Sequence, residues 1–290
     1  MNYRFYYILL GILTISTLPI GGCDLFEEEP VPSYVYIDTI FLNTKTGQGT
    51  NRHSATDAWV SVGPDLVGAF PLPALIPVLE TGEQEVTVFG GILQNGIGAT
   101  RDVYPFYTRY TVAKDLKPGG VDTIRPTVEY ADDLVFLTME DFEASNIISD
   151  DLDGNNNTKV IRSDSLALVY EGTRSGHIVL SGTDNYIEVG TNLFYEFPTT
   201  PERVYLELHY KNDVTFEVGI AGKSNNYFER FYKVGVIPST EWKKIYVDFS
   251  NDVTSMITNS AEEFQIVFRA LHAGDAPANI YLDNIKLIYR

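Results

Sequence analysis

From Ser33 onward, apolar residues recur at every second position, and the runs are broken by glycine, proline and Asx turns. The clearest runs are Arg203 to Tyr210, Val214 to Ile220, Lys244 to Phe249 and Glu263 to Phe268. Branched or aromatic side chains hold one parity in each run and polar ones mostly hold the other. Successive strand side chains point to opposite faces, so this pattern predicts half-buried antiparallel strands. A helical period is missing apart from a turn or two between Asn251 and Glu263. His209 sits in a strand whose other parity is apolar, which predicts a surface residue rather than a base.

Two clusters of turn residues divide the chain. Lys117-Pro118-Gly119-Gly120 and Arg125-Pro126 close a first set of strands, and Met139-Glu140-Asp141-Phe142-Glu143 opens a second. The predicted fold class is all-β, with two abutting β-sandwich domains over residues 33–134 and 135–290. The 290-residue chain is 44% hydrophobic, enough for two cores and too apolar for a largely disordered protein. Its 19 tyrosines and 16 phenylalanines suit strands, where aromatics are favoured and bury large areas. The net charge of −18 argues against nucleic acid as a partner, since that role needs cations to replace phosphate counterions.

The N-terminus follows different rules. After Arg4, the run from Phe5 to Ile20 has no charged residue; it is short for a spanning helix of about 20 residues and suits the core of an export signal. A buried N-terminal element or a simple membrane anchor are the alternatives. Ile20-Gly21-Gly22-Cys23 resembles a bacterial lipobox, with Pro19 an unusual neighbour. The resemblance implies a signal peptide over residues 1–22 and a lipid anchor on Cys23, where several acyl chains provide stable attachment. Residues 23–32 then form an acidic tether, stiffened by Pro30 and Pro32. Glu27, Glu28 and Glu29 resemble the surface-export signal of Bacteroidota-type lipoproteins, which implies an outer-membrane location facing the cell exterior. Cys23 is the single cysteine, so a folded part beyond it has no disulfide, cysteine nucleophile or cysteine metal site.

Each sandwich also carries a resemblance. Asp57 to Val62, the Gly63-Pro64 turn and the strand from Glu85 to Phe89 resemble immunoglobulin-like or PEGA-like surface domains. Glu140-Asp141-Phe142-Glu143, the turn Glu171-Gly172-Thr173-Arg174-Ser175-Gly176 and the closing Leu282-Asp283-Asn284-Ile285 resemble jelly-roll carbohydrate-binding modules. The second resemblance implies a jelly roll and a structural calcium linking Glu140 or Glu143 to Asp283. Parity places Asp283 toward the sandwich, where a carboxylate needs hydrogen bonds or a hard cation. A hydrogen-bonded Asp-Asn pair at a strand edge is the plainer alternative.

Candidate chemistry elsewhere is sparse. The stretch Asp150 to Thr158 alternates Asp151, Asp153, Asn155 and Asn157, yet its glycine is misplaced and Arg162 stands where an EF-hand needs glutamate. It reads as a mobile Asx-rich loop. Nucleophile-elbow, zincin, dinucleotide and phosphate-loop motifs are missing, which predicts a non-catalytic protein. Glycan binding needs aromatic faces with amides or carboxylates; Asn225, Asn226, Tyr227 and Tyr232 are the predicted ligand residues, with Tyr186, Tyr195, Phe228 and Trp242 as further aromatics. Trp242 reads as packing beneath a strand start. The aromatic-rich segment Tyr104 to Tyr110 is either a solvent-facing platform or, more plainly, packing against the neighbouring domain. Two partner classes therefore stand: polysaccharide, or another outer-membrane protein contacted by an accessory subunit.

Overall fold

The computed structural model describes residues 30–274 and 276–290. The signal segment, Cys23 and the tether up to Glu29 lie outside the described residues.

The described strands form two β-sandwich units. In the first, β1 (Ser33–Ile37) lies between antiparallel β5 (Ala74–Val78) and parallel β9 (Val121–Ile124), while β2 (Phe41–Asn43) pairs in parallel with β10 (Thr127–Glu129). The second sheet centres on β6 (Gly82–Leu93). One edge of β6 pairs with β3 (Asp57–Val62), which carries β4 (Asp65–Pro71). The other edge takes β8 (Tyr110–Leu116) and then β7 (Arg101–Val103). The parallel pairs depart from the all-antiparallel arrangement that alternation suggests, because period two does not encode strand direction.

The second unit is antiparallel throughout. Its six-stranded sheet centres on β21 (Ala278–Tyr289). One edge of β21 takes β14 (Ser175–Leu180) and β11 (Val135–Glu140) in succession, and β13 (Ile161–Ser163) lies outside β14. The other edge takes β16 (Val204–Asn212), followed by β19 (Ser239–Asp248). The facing five-stranded sheet runs β12 (Ile148–Asp151), β15 (Tyr186–Thr191), β20 (Glu263–Leu271), β17 (Phe216–Lys223), β18 (Phe228–Val236). Most connections from β14 to β21 cross between the sheets, as in a jelly roll. The one expected helical stretch is α1 (Ser250–Thr258), which buries Val253 and Met256 at one end of the sandwich.

Alternation builds this core as expected: Val204, Leu206 and Leu208 of β16 meet Val218 and Ile220 of β17 and Phe264, Ile266 and Phe268 of β20 inside the sandwich. The opposite parity of β16 is buried as well. Tyr205, Glu207 and His209 are 3%, 0% and 2% exposed, which corrects the surface reading of His209. Tyr205 and Glu207 are covered by the first unit, whose Tyr104, Phe106, Tyr107 and Tyr130 form one apolar cluster with Tyr205, Tyr246 and Ile288 of the second, and the His209 ring is covered by Tyr170 of its own unit, stacked on it at 4.3 Å. The segment beginning at Tyr104 is thus packing against the neighbouring domain rather than a solvent platform.

That interface holds a buried charge network. Tyr104 donates its hydroxyl to Glu207 Oε1 at 2.7 Å, and Tyr130 donates to Oε2 at 2.8 Å. Lys244 Nζ lies 2.5 Å from Glu207 Oε2, and Lys286 Nζ donates to the Gln48 carbonyl at 2.7 Å. Burial alone would push the Glu207 carboxyl up, but Lys244 and Lys286 more than reverse this, so it stays below its ordinary range. Main-chain bonds add to the joint: Asn95 donates its N–H to the Tyr246 carbonyl at 2.8 Å, and Asp248 donates its N–H to Asn95 Oδ1 at 2.9 Å.

Candidate functional site

The outward face of the five-stranded sheet is built by strand register. Glu188 of β15, Arg269 of β20 and Glu217 of β17 stand side by side on one row. The next row runs Gly190, Val267, Gly219 and Tyr232 across β15, β20, β17 and β18. Small side chains in its middle let long ones cross it. Tyr232 donates its hydroxyl to Glu188 Oε1 at 2.5 Å, and Arg230 Nη1 reaches Glu188 Oε2 at 2.9 Å. The Arg269 guanidinium lies 3.9 Å from the Tyr232 ring centroid and grips both Glu217 oxygens, at 2.5 and 3.1 Å. A cation over an aromatic face and a forked Arg–carboxylate pair both fix side-chain geometry.

Gly219 is required by the backbone. A Cβ there would sit 2.4 Å from the Phe231 carbonyl oxygen, at the point where the β17–β18 register shifts. Beside the ridge lies a hollow of about 360 Å³ lined by Tyr186, Glu217, Arg269 and Leu271. Burial raises the Tyr186 and Tyr232 phenols, and the Glu188 charge raises them further. Both therefore remain protonated donors near neutral pH. The face can hold a ring against Tyr186 while phenols, guanidinium and carboxylates meet hydroxyls at its edges.

The predicted ligand residues divide between two places. Tyr232 is central to this face. Asn225, Asn226 and Tyr227 lie in the turn joining β17 to β18, with both asparagines exposed and the Tyr227 hydroxyl bonded to Glu229. Tyr195 is 5% exposed and belongs to the core, while Phe228 is 62% exposed at the start of β18. Glu188, Glu217, Arg230 and Arg269 were not among the residues expected; alternation places Glu188, Glu217 and Arg269 on their outward parity, Arg230 is turned outward only by the register shift in the β17–β18 pairing, and only register joins the four.

The three residues expected at calcium are engaged with main-chain donors. Glu140 accepts the N–H groups of Phe142 at 2.6 Å and Ile147 at 2.7 Å. Glu143 accepts those of Thr173 at 2.6 Å and Arg174 at 2.9 Å. Asp283 accepts the Ser175 hydroxyl at 2.6 Å and the Asn284 N–H at 2.8 Å. Burial pushes the Asp283 carboxyl up to about 7. Among the described residues, no group of three or more His, Cys, Asp or Glu side chains converges as a metal site. The Asx-rich stretch is braced rather than loose: Asp153 Oδ2 accepts the Glu188 N–H at 2.7 Å, and the Asn155 and Asn157 amides both donate to Asp184 Oδ1.

No protein-family model and no curated protein matches the sequence. Among solved structures, a family 30 carbohydrate-binding module of a Clostridium thermocellum cellulosomal cellulase is similar at 14% identity and a TM-score of 0.37, over 53% of this chain and 96% of that one. A family 11 module of another cellulosomal cellulase of that organism is similar at 19% identity and a TM-score of 0.35, over 53% of this chain and 94% of that one. A module in complex with β-1,4-galactotriose is similar at 12% identity and a TM-score of 0.31, over 47% of this chain and 85% of that one. The site rests on its own side chains.

Proposed function

We propose that the protein is a non-catalytic glycan-binding protein whose second sandwich takes polysaccharide on the outward face of the five-stranded sheet. The observation that carries this reading is the ridge of Arg230, Glu188, Tyr232, Arg269 and Glu217 beside the open hollow at Tyr186. Aromatic ring, planar cations and carboxylates converge there, with Glu188 held by Tyr232 and Arg230 and Glu217 by Arg269 rather than free as the acid–base pair of glycoside hydrolysis. Native affinity electrophoresis against soluble neutral polysaccharides tests it. Tyr186→Ala is expected to weaken retardation about tenfold, a loss of the order of one aromatic contact. Unchanged retardation in the variant, or no retardation of the parent chain by any polysaccharide, would sink the reading.

The same proposal places the chain at the outer membrane, facing outward, through a lipid on Cys23. It is supported by the lipobox-like Ile20-Gly21-Gly22-Cys23 and the glutamates that follow. Cys23→Ser is expected to move the protein from the membrane fraction to the soluble one and to abolish lipid labelling. Retention in the membrane would refute the anchor.

A second reading, an accessory subunit working through protein contacts, is favoured by the outer face of β5, β1 and β9. Leu75 pairs with Tyr36, and Val121 with Tyr34; Leu75 and Val121 are 55% and 59% exposed. Apolar surface of this kind is typical of interfaces. Stoichiometric recovery of one membrane protein after mild cross-linking is its test.

A further inference from the structure

A second cavity, of about 410 Å³, lies where the two units meet. His53 and Ser54 of the first unit face Tyr170, His209, Trp242 and Lys243 of the second. It is the size of a small-ligand site. It does not touch the five-stranded face, because Trp242, Lys243 and His209 belong to the opposite sheet.

Three features of the cavity point to a ligand. First, an aromatic row leads into it along the six-stranded sheet. His177 stacks on Tyr281 at 4.6 Å, Trp242 stands 6.4 Å from Tyr281 and 5.2 Å from Tyr170, and Tyr170 stacks on His209 at 4.3 Å. This corrects the reading of Trp242 as packing beneath a strand start: it is half-buried in a wall. Second, His209 is 2% exposed, and neither ring nitrogen has a hydrogen-bond partner. Buried polar groups are normally bonded, so a partnerless imidazole beside a cavity marks an unmet need. Third, the charge is inverted. The chain carries 39 acidic against 21 basic residues, yet no Asp or Glu is among the described residues lining this cavity.

The cations are unequal. Lys244 is spent on Glu207 and on the Arg52 carbonyl, which it reaches at 3.0 Å. Lys243 is exposed and forms no ion pair among the described residues. Arg52 stands over the Tyr170 ring, 5.7 Å from its centroid, and is paired with Glu171 at 3.3 Å. The buried network behind the wall holds two lysines to one glutamate. Burial pushes the His209 imidazole down to about 2, with Lys244, Lys286 and Arg52 adding to the effect. His209 is therefore neutral, with one ring nitrogen free to donate and the other free to accept, in a field that favours an anion.

We propose that this cavity is a second, separate binding site for an acidic saccharide, with a sugar ring against Trp242 and Tyr170 and its carboxylate or sulfate toward Lys243. The choice of a saccharide rests on the glycan reading above; the preference for an anion does not. Neutral sugars have no use for an unpaired ammonium in a lining free of carboxylates, whereas a uronate or sulfated unit pairs with it directly.

Isothermal titration of the full chain with trigalacturonate and with a sulfated chondroitin tetrasaccharide tests the proposal, with uncharged galactotriose as the control. At least one acidic probe is expected to bind. Lys243→Gln should weaken it about tenfold without altering the galactotriose result, and Trp242→Ala should weaken it at least as much. The His209 ring nitrogen resonances should shift on saturation, which locates the ligand independently of any variant. Tyr186→Ala should leave acidic binding unchanged, so failure of the five-stranded face and failure of this cavity give different patterns. Absence of binding by both acidic probes, or binding that neither Lys243→Gln nor Trp242→Ala alters, overturns the proposal. Both substitutions lie at a solvent-accessible wall, and an unchanged melting temperature confirms that each variant is folded.

Discussion

Glu207→Ala is expected to cost about 3–5 kcal/mol of stability, because it leaves Lys244 and Lys286 buried with no carboxylate between them. Lys244 and Glu207 side chains are 1% and 0% exposed, so water cannot take the place of the lost partner. Tyr104 and Tyr130 lose their acceptor in the same step. For a chain of this size, the loss corresponds to a fall in melting temperature of about 10 °C. Calorimetry checks it, and a change below about 1 kcal/mol would show that the network is solvated. Replacing all three charged groups at once, Glu207→Leu with Lys244→Met and Lys286→Met, should recover most of the loss. Well-packed apolar side chains often match a buried ion network in stability.

Asp283 has the next largest expected effect, and its sign follows from burial. Its folded carboxyl is raised to about 7 from an ordinary value of 3.8, so the native state prefers the protonated form. The stabilisation relative to an ionised buried group is full below pH 4. It is lost as pH rises toward 7. A shift of about 3 units corresponds to about 4 kcal/mol at most, as an order of magnitude. Asp283→Asn should flatten this part of the stability–pH curve and make the variant more stable than the parent at pH 8. The Ser175 hydroxyl can still donate to the amide oxygen. A curve that keeps its slope in the variant would assign the titration elsewhere. Repeating the measurement with calcium and with chelator tests the ligation implied by the jelly-roll resemblance, since a bound calcium would hold Asp283 ionised and erase the slope.

Much of the fold was legible because alternation is a local signal. The core parity of β16, β17, β19 and β20 follows from single runs of sequence, and α1 from a break in them. The second burial of β16 was not legible. Nothing within Val204 to Asn212 says that Tyr104 and Tyr130, 103 and 77 positions before Glu207, will cover its polar side. His209 was misread for a like reason, since Tyr170 reaches over its ring from another part of the chain. The aromatic segment itself was read correctly as packing, since so many large rings rarely stay in water.

The site was half legible. Tyr186 and Tyr232 stood out as aromatics on strands, but Glu188, Arg269 and Glu217 are ordinary surface charges until register sets them on one row. The hairpin asparagines drew attention by composition, yet the turn carries them to the end of the sheet rather than onto its face. Asp153 was read as part of a loose loop because spacing reveals Asx turns but not the long-range Glu188 N–H that it accepts.

The strand that is buried on both sides has a further meaning for how such a protein can change over time. Sandwich domains are commonly pictured as cartridges, each with its own core and moved from one host chain to another with its surface intact. Here the would-be cartridge has an outer wall made of Tyr205, Glu207, Tyr246 and Ile288, and it is finished only by residues of its neighbour. Two sandwiches joined in this way form a single heritable part: either can vary at its free face, but neither can be traded alone.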